Sequence, residues 1–247
     1  MSLRRGPGII TEGLIFYADA ANPKSYVSGS TTTNNLTNLS EIGDLENGTS
    51  FSYINQGSWV FDGVDDFITF GDLTSINPEL NSFTCNIFFK INPSTLTTNI
   101  ILTKGNSSST LIGWAMYYGD GNGTIEIRCN GNNTITQRAG QYSLINENQI
   151  YMVSLVINRT DNTIKGYLNG DNNGWNDGTS GGGFTSNSIT GFGSITSSDD
   201  FFIGKRSNIG VPLPMFGDIY LVNCYNRALT QKEIQQNYNA LKGRFGL

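Results

Sequence analysis

The chain has 247 residues, of which 37% are hydrophobic and 14% charged, and carries 30 glycines and a net charge of −5. That acidic balance excludes the basic footprint of a nucleic-acid-binding domain, and no apolar run reaches the length needed to insert across a membrane. Histidine is absent, which excludes Ser–His–Asp, Cys–His and His-ligated zinc chemistry by inventory.

The first twelve residues read as a flexible basic arm. Arg4 and Arg5 precede Gly6, Pro7 and Gly8, and only two isoleucines follow before Thr11 and Glu12, too few for a secretory signal. Residues 13–247 read as a single domain, which at this length can bury a substantial core. Its first strand is GLIFYADA, from Gly13. Residues 27–50 are polar and poor in periodicity, which predicts a long loop with short edge pieces. The segment Trp59–Phe70, WVFDGVDDFITF, predicts a hairpin-like pair of strands around Asp62-Gly63.

The next strand, SFTCNIFFKI, alternates. Phe83, Cys85, Ile87, Phe89 and Ile91 share one face, with Thr84, Asn86 and Lys90 on the other. NIILTKG, GWAMYYGD and TIEIRCNG follow at spacings suited to antiparallel strands. YMVSLVIN and TIKGYLNG form another pair, joined by the turn Arg159-Thr160-Asp161-Asn162. Between Asp171 and Ser198 the chain is rich in Gly, Ser, Thr and Asn and carries Trp175, Phe184 and Phe192. Composition predicts a long loop whose aromatics either anchor it to the domain or present a contact surface. FFIGK and the segment Phe216–Tyr225 complete about twelve strands. Cys85, Cys129 and Cys224, odd in number and far apart, fall in these strands and read as buried small hydrophobes, in keeping with a reducing cytosol.

One helix closes the chain. Thr230 and Glu233 have capping-box spacing, Ile234, Tyr238 and Leu241 form one apolar stripe, and Gly243 ends the run. With no alternating helix pattern, the fold class is all-β: a two-sheet antiparallel jelly-roll sandwich with one short C-terminal helix.

Five short motifs, in order, resemble the laminin-G-like branch of the concanavalin A-like lectin/glucanase superfamily. They are FDGVDDF (Phe61–Phe67), SFTCNIFFK, ILTKG, YLNG (Tyr167–Gly170) and YNRALTQKEIQQNYNA. The opening GPGIITEGLIFYADAANPKSY and the closing QNYNALKGRFGL resemble laminin-G-like proteins of tailed-bacteriophage particles, notably marine ones. The resemblance implies a virion protein, made in the host cytoplasm without a signal peptide. Relatives carry the pattern G-x-IDEVRIYNRAL before the closing corner. Here Tyr220 and Leu221 stand where the paired acids would be.

The residues offer four kinds of site. Glycan cleavage in this superfamily needs carboxylates spaced E-x-D-x-x-E along one strand, and no Glu-x-Asp occurs in the chain. A non-enzyme is therefore expected. Calcium is the candidate ion, with Asp62, Asp65 and Asp66 clustered in sequence and Asp199 and Asp200 ahead of a strand. The structural reading of the same acids has Asp65 or Asp66 bonding backbone amides near the closing corner, with Arg227 as a bidentate partner and Asp65 the costliest to lose. For glycans, Trp175 is the leading stacking candidate, with Trp114 second and Asn172, Asn173 and Asp177 to read hydroxyls. For assembly, Arg4 and Arg5 at one end and Arg244 and Phe245 at the other are the candidate contacts.

These readings combine into one expectation: a non-enzymatic structural component of a phage particle, decorating capsid or tail. Its partners would be other virion proteins, further copies of itself, and cell-surface glycans. The alternatives are a free carbohydrate-binding lectin and a glycan-cleaving enzyme.

Overall fold

The computed structural model describes residues 7–54, 57–93, 98–105, 112–119, 123–132, the backbone of 136–143, 145–173, 175, 188–206 and 213–247. Within these residues lie fifteen strands in two antiparallel sheets and one α-helix. The first sheet runs β13 (Thr163–Leu168), β12 (Ile150–Asn158), β7 (Phe83–Ile91), β15 (Phe216–Tyr225), β5 (Ser58–Asp62) and β4 (Ser50–Ser52). β1 (Leu14–Asp19) pairs with the C-terminal half of β15, beyond the stretch held by β5. The second sheet runs β11 (Thr136–Ser143), β10 (Thr124–Asn130), β9 (Gly113–Gly119), β8 (Thr98–Gly105), β14 (Phe201–Ile203), β6 (Phe67–Thr69), β3 (Asn38–Glu46) and β2 (Thr32–Asn35). This is a jelly-roll sandwich.

The period-2 pattern explains the core. Phe83, Cys85, Ile87, Phe89 and Ile91 of β7 pack into one buried cluster with Trp114, Met116 and Tyr118 of β9 and Ile125, Ile127 and Cys129 of β10. The Phe83 and Trp114 rings meet at 5.0 Å. Trp59 and Phe61 of β5 are also fully buried, each side chain contributing roughly 1.5–3 kcal/mol of burial. Cys85, Cys129 and Cys224 are buried and free. Cys85 and Cys224 face each other across β7 and β15.

The outer face of the first sheet is covered by helix α1 (Gln231–Leu241). Phe88, Met152, Tyr220, Leu221 and Tyr225 form a second buried cluster with Ile234, against which Tyr238 and Leu241 pack. Tyr220 and Leu221, though consecutive, both join this cluster. Register between β15 and β7 shifts between Ile219 and Leu221, and such a bulge lets neighbours share one face.

Several expectations are corrected. Asp62-Gly63 does not turn a hairpin. β5 and β6 lie in different sheets, so residues 63–66 form a corner from one sheet to the other. Segment 27–50 is not mainly loop: it holds β2 and β3, and β3 runs for nine residues. The helix passes through Gly243 as a 3₁₀ turn, Lys242–Phe245, and Gly246 ends it with φ 72°. The described part of the N-terminal arm is held in place: Gly8 O accepts from Gln236, and Ile10 N–H donates to Asn237 Oδ1 at 2.8 Å.

Candidate functional site

The corner between the sheets brings three predicted residues together. Asp62 closes β5, and Asp66 immediately precedes β6. Asp66 Oδ2 accepts the Asp62 backbone N–H at 2.9 Å, and Asp62 Oδ1 accepts from the N–H of Val64 at 2.8 Å. These are the short-range bonds that aspartate makes in tight turns. Gly63, with φ 80°, allows the chain to pass beside Phe216, where a Cβ would lie 2.9 Å from that side chain.

One carboxylate oxygen from each of Asp62, Asp65 and Asp66 lies within 4.8 Å of the others. Asp62 and Asp65 are exposed, whereas Asp66 is 4% exposed. Burial pushes the Asp66 carboxyl above the ordinary carboxylate range. The Asp62 amide opposes that shift, and the charges of Asp62 and Asp65 add to it. The neighbouring turn contributes Asn47, whose Nδ2 donates to Asp65 O at 3.0 Å. A cavity of about 140 Å³ opens beside the acids, lined in part by Asn47, Val64, Gly204 and Lys205.

The other calcium candidates lie apart from this group. Asp199 N–H bonds Ser197 Oγ, and Asp199 O accepts from Lys104 Nζ at 2.6 Å. The fully buried Lys104 side chain also pairs with Asp72 at 2.5 Å, so an ammonium already occupies the position next to Asp199. Neither Asp199 nor Asp200 joins a cluster of three acids among the described residues.

Arg227 does not pair with Asp65 or Asp66. It forms a bidentate pair with Glu233, at 2.6 and 3.1 Å, and bonds Glu12 O. Asp66, not Asp65, is the buried acid of the corner. Thr230 and Glu233 complete the capping box: Glu233 N–H donates to Thr230 Oγ1 at 3.4 Å and Thr230 N–H to Glu233 Oε2 at 2.8 Å. The Arg227 guanidinium, with the Thr230 bonds, holds the Glu233 carboxyl down to about 2.

The stacking candidates turn inward. Trp114 is fully buried, with its indole N–H on Ile76 O at 3.2 Å, so it cannot offer a ring face to a sugar. Trp175 lies half-buried across β13, where a Cβ on Gly166 would come within 2.4 Å of its ring. Asn172 Nδ2 bonds Gly166 O at 2.6 Å, and Asn173 bonds Asp171. Trp175 and the fully buried Phe192 therefore anchor their loop to the sandwich. Asp177 and Phe184 lie outside the described residues, as do Arg4 and Arg5.

The tail candidates are engaged within the chain rather than projecting from it. Arg244 bonds Asp19 Oδ1 at 2.7 Å and Gly57 O at 2.8 Å. The Phe245 ring packs on Phe88 and Tyr220, at 5.0 and 4.9 Å.

A further polar group lies on the outer face of the second sheet. Arg128 pairs with Glu126 and its guanidinium lies 4.5 Å over the Tyr117 ring. The alternation in TIEIRCN places Glu126 and Arg128 on one side, a readable signal. Their cross-strand neighbours on β9 come only from sheet register, Glu126 opposite Tyr117 and Arg128 opposite Ala115.

The two antiparallel sheets, the inward-facing aromatics and the single helix closing one face define a lectin-like jelly roll. A laminin-G-type sequence profile of the concanavalin A-like lectin/glucanases superfamily matches residues 62–235, and the chain belongs to that superfamily. No curated protein sequence matches it. The fold is similar to the binding domain of Paraclostridial Mosquitocidal Protein 1 (TM-score 0.68, 15% identity, 92% of this chain and 52% of that one). It is similar to Trypanosoma rangeli sialidase in complex with sialic acid (TM-score 0.66, 14% identity, 96% and 34%). The receptor binding domain of botulinum neurotoxin D gives a TM-score of 0.64 at 13% identity, with 92% and 52% covered. The chain thus spans about half, or a third, of the length of these structures. Among the described residues no helix is long and apolar enough to cross a membrane.

Proposed function

We propose that this chain is a non-enzymatic binding and display module of a phage particle, docked through the face that carries its termini. The observation behind this reading is the way its ends are stapled together. Gln236 and Asn237 of α1 bond Gly8 O and Ile10 N–H, and Tyr225 Oη donates to Ile10 O at 2.9 Å. One face thus gathers the N-terminal arm and the C-terminal helix, whereas the intersheet corner lies at the opposite end of β15, where Asp62 pairs with Phe216. Nine residue steps along β15, about 30 Å, separate Tyr225, bonded to Ile10, from Phe216 at the corner. The C-terminal tail folds back to Tyr220 between them, so the end that carries the N-terminal arm can sit on a particle while the corner faces outward.

Segments at the two ends also resemble virion proteins. Two structures with this fold are named as binding domains, which supports a binding role at the level of fold. A non-catalytic role agrees with the missing Glu-x-Asp spacing.

The test is to purify intact particles and to assay the isolated chain on a glycan array and on polysaccharide. The expected result is the chain in purified particles, seated through its termini in the density map, with no reducing sugar released. Its absence from particles overturns the virion reading, and release of reducing sugar overturns the non-enzymatic one. Strong array binding by a chain missing from particles makes it a free lectin.

A further inference from the structure

We propose that Cys85 and Cys224 are a modification site: they form a disulfide across β7 and β15 when the chain meets a small-molecule disulfide. The inference is independent of where the chain resides.

Two observations carry it. The first is register. Cys85 and Cys224 stand directly opposite each other in the antiparallel pairing of β7 with β15, within a run that is regular from Leu221 to Tyr225. Directly opposed antiparallel residues have Cα atoms about 4.5–5.5 Å apart, inside the roughly 4.4–6.8 Å that a disulfide spans. The second is the direction of the side chains. Both enter the same buried cluster between the sheets, and the Cys224 thiol has the Cys85 thiol as a hydrogen-bond partner. The adjacent pair, on the other face, shows how closely these strands bring side chains together: Asn86 Nδ2 donates to Asn223 Oδ1 at 2.7 Å.

Cys129 has no such partner. It lies on β10 opposite Trp114 and Gln137, so no cysteine stands beside it in its own sheet. Nor do Cys85 and Cys224 make a metal centre. Two thiols do not complete a tetrahedral zinc site, and among the described residues no group of three metal-binding side chains includes either one. The chemistry left to the pair is thiol–disulfide exchange.

With oxidised glutathione as the small disulfide, the step balances. One cysteine thiolate attacks a glutathione sulfur, breaks the S–S bond and releases one glutathione thiolate, leaving a mixed disulfide. The second cysteine, as its thiolate, attacks the protein sulfur, releases the second glutathione and forms the Cys85–Cys224 bond. The two cysteine protons pass to the released thiolates. The cysteines are oxidised and the small disulfide is reduced. Both cysteines are fully buried, and burial with the neighbouring Cys85 thiol pushes the Cys224 thiol well up. Exchange therefore proceeds during folding or through transient opening of the sheet, and a chain folded in a reducing compartment stays a dithiol.

The consequence is mechanical. β15 pairs with β1 and β5 as well as β7, and its last residue, Tyr225, bonds Ile10 O. The bond would fix, at the centre of the first sheet, the strand on which the N-terminal arm is held. It closes a loop of about 140 residues, and long loops restrict the unfolded chain most.

The full chain would be unfolded, then refolded in about 1 mM each of reduced and oxidised glutathione, and followed by thiol count under denaturing conditions, intact mass and peptide mapping. One disulfide, Cys85 to Cys224, is expected in most molecules, with Cys129 still free. Tm should rise by about 8 °C and return to its starting value on reduction. Folded chain kept in the same buffer needs no refolding and should reach the same bond more slowly. Cys129→Ser should leave these results unchanged, and Cys224→Ser should abolish the intramolecular bond. The Cys85–Cys224 bond by either route upholds the proposal. Three free thiols by both routes overturn it, as does a dominant bond to Cys129, or a Tm lowered by oxidation, which would show that the paired strands do not fit a disulfide.

Discussion

Phe88 and Phe245 stack at 5.0 Å with ring planes 29° apart, joining the middle of β7 to the last turn of the chain. Phe245 also meets the Tyr220 ring edge-on at 4.9 Å. The tail thus closes the outer cluster of the first sheet. Phe245→Ala should cost about 2 kcal/mol, below the full cost for a core phenylalanine because Phe245 is half-buried. Denaturant unfolding checks this. A midpoint unchanged from wild type would mean the tail does not pack in solution.

The capping box and the Arg227–Glu233 pair make acid stability a test of the closing corner. The Glu233 carboxyl is held at about 2, below its ordinary 4.5. A lowered folded-state value stabilises fully above pH 4.5, and that stabilisation fades as pH falls toward 2. Glu233 is partly open to solvent, so roughly 2 kcal/mol is at stake after allowing for screening. Tm measured from pH 6 to pH 2 should fall less steeply for Glu233→Gln than for wild type, with the curves converging at the acid end. Parallel curves would rule the pair out as a source of acid sensitivity.

Thr230→Ala removes one half of the same box and should cost about 1 kcal/mol. Because Arg227 still bonds Glu233, the effect should be smaller than that of removing Glu233 itself. Chemical denaturation of both variants settles the order.

Arg244 and Asp19 form a mostly buried pair at 2.7 Å, with the guanidinium also bonded to Gly57 O. Arg244→Ala leaves the Asp19 carboxylate without its counter-charge and should cost about 3 kcal/mol. Arg244→Met/Asp19→Asn should recover more than half of that loss. A double variant no more stable than Arg244→Ala would place the cost in lost packing, not in the unpaired charge.

Gly166→Ala should dislodge Trp175, since the new Cβ would meet the indole at 2.4 Å. The expected readouts are a red shift of tryptophan emission and faster protease cleavage near Trp175, with a stability loss of about 1–3 kcal/mol. Unchanged emission would show that the loop is not anchored there.

Much of this protein is legible in its sequence because local rules govern it. Alternation in β7 names its core face, and Thr230 and Glu233 mark the start of the one helix, since both signals act over a few residues. The same alternation could not say that Asp62 and Phe67 belong to different sheets. A tight turn between two apolar runs looks alike whether it joins paired strands or crosses a sandwich, and only long-range pairing to β15 and β14 decides. Tertiary packing likewise sent Trp114 into the core and Arg227 to Glu233, and left Asp66 rather than Asp65 buried. Adjacent acids differ in burial only through what covers them, and the cover comes from segments distant in the chain. Composition and short-range pattern therefore determined the fold class and excluded whole chemistries. The contacts that make a site formed only once the two sheets closed on each other.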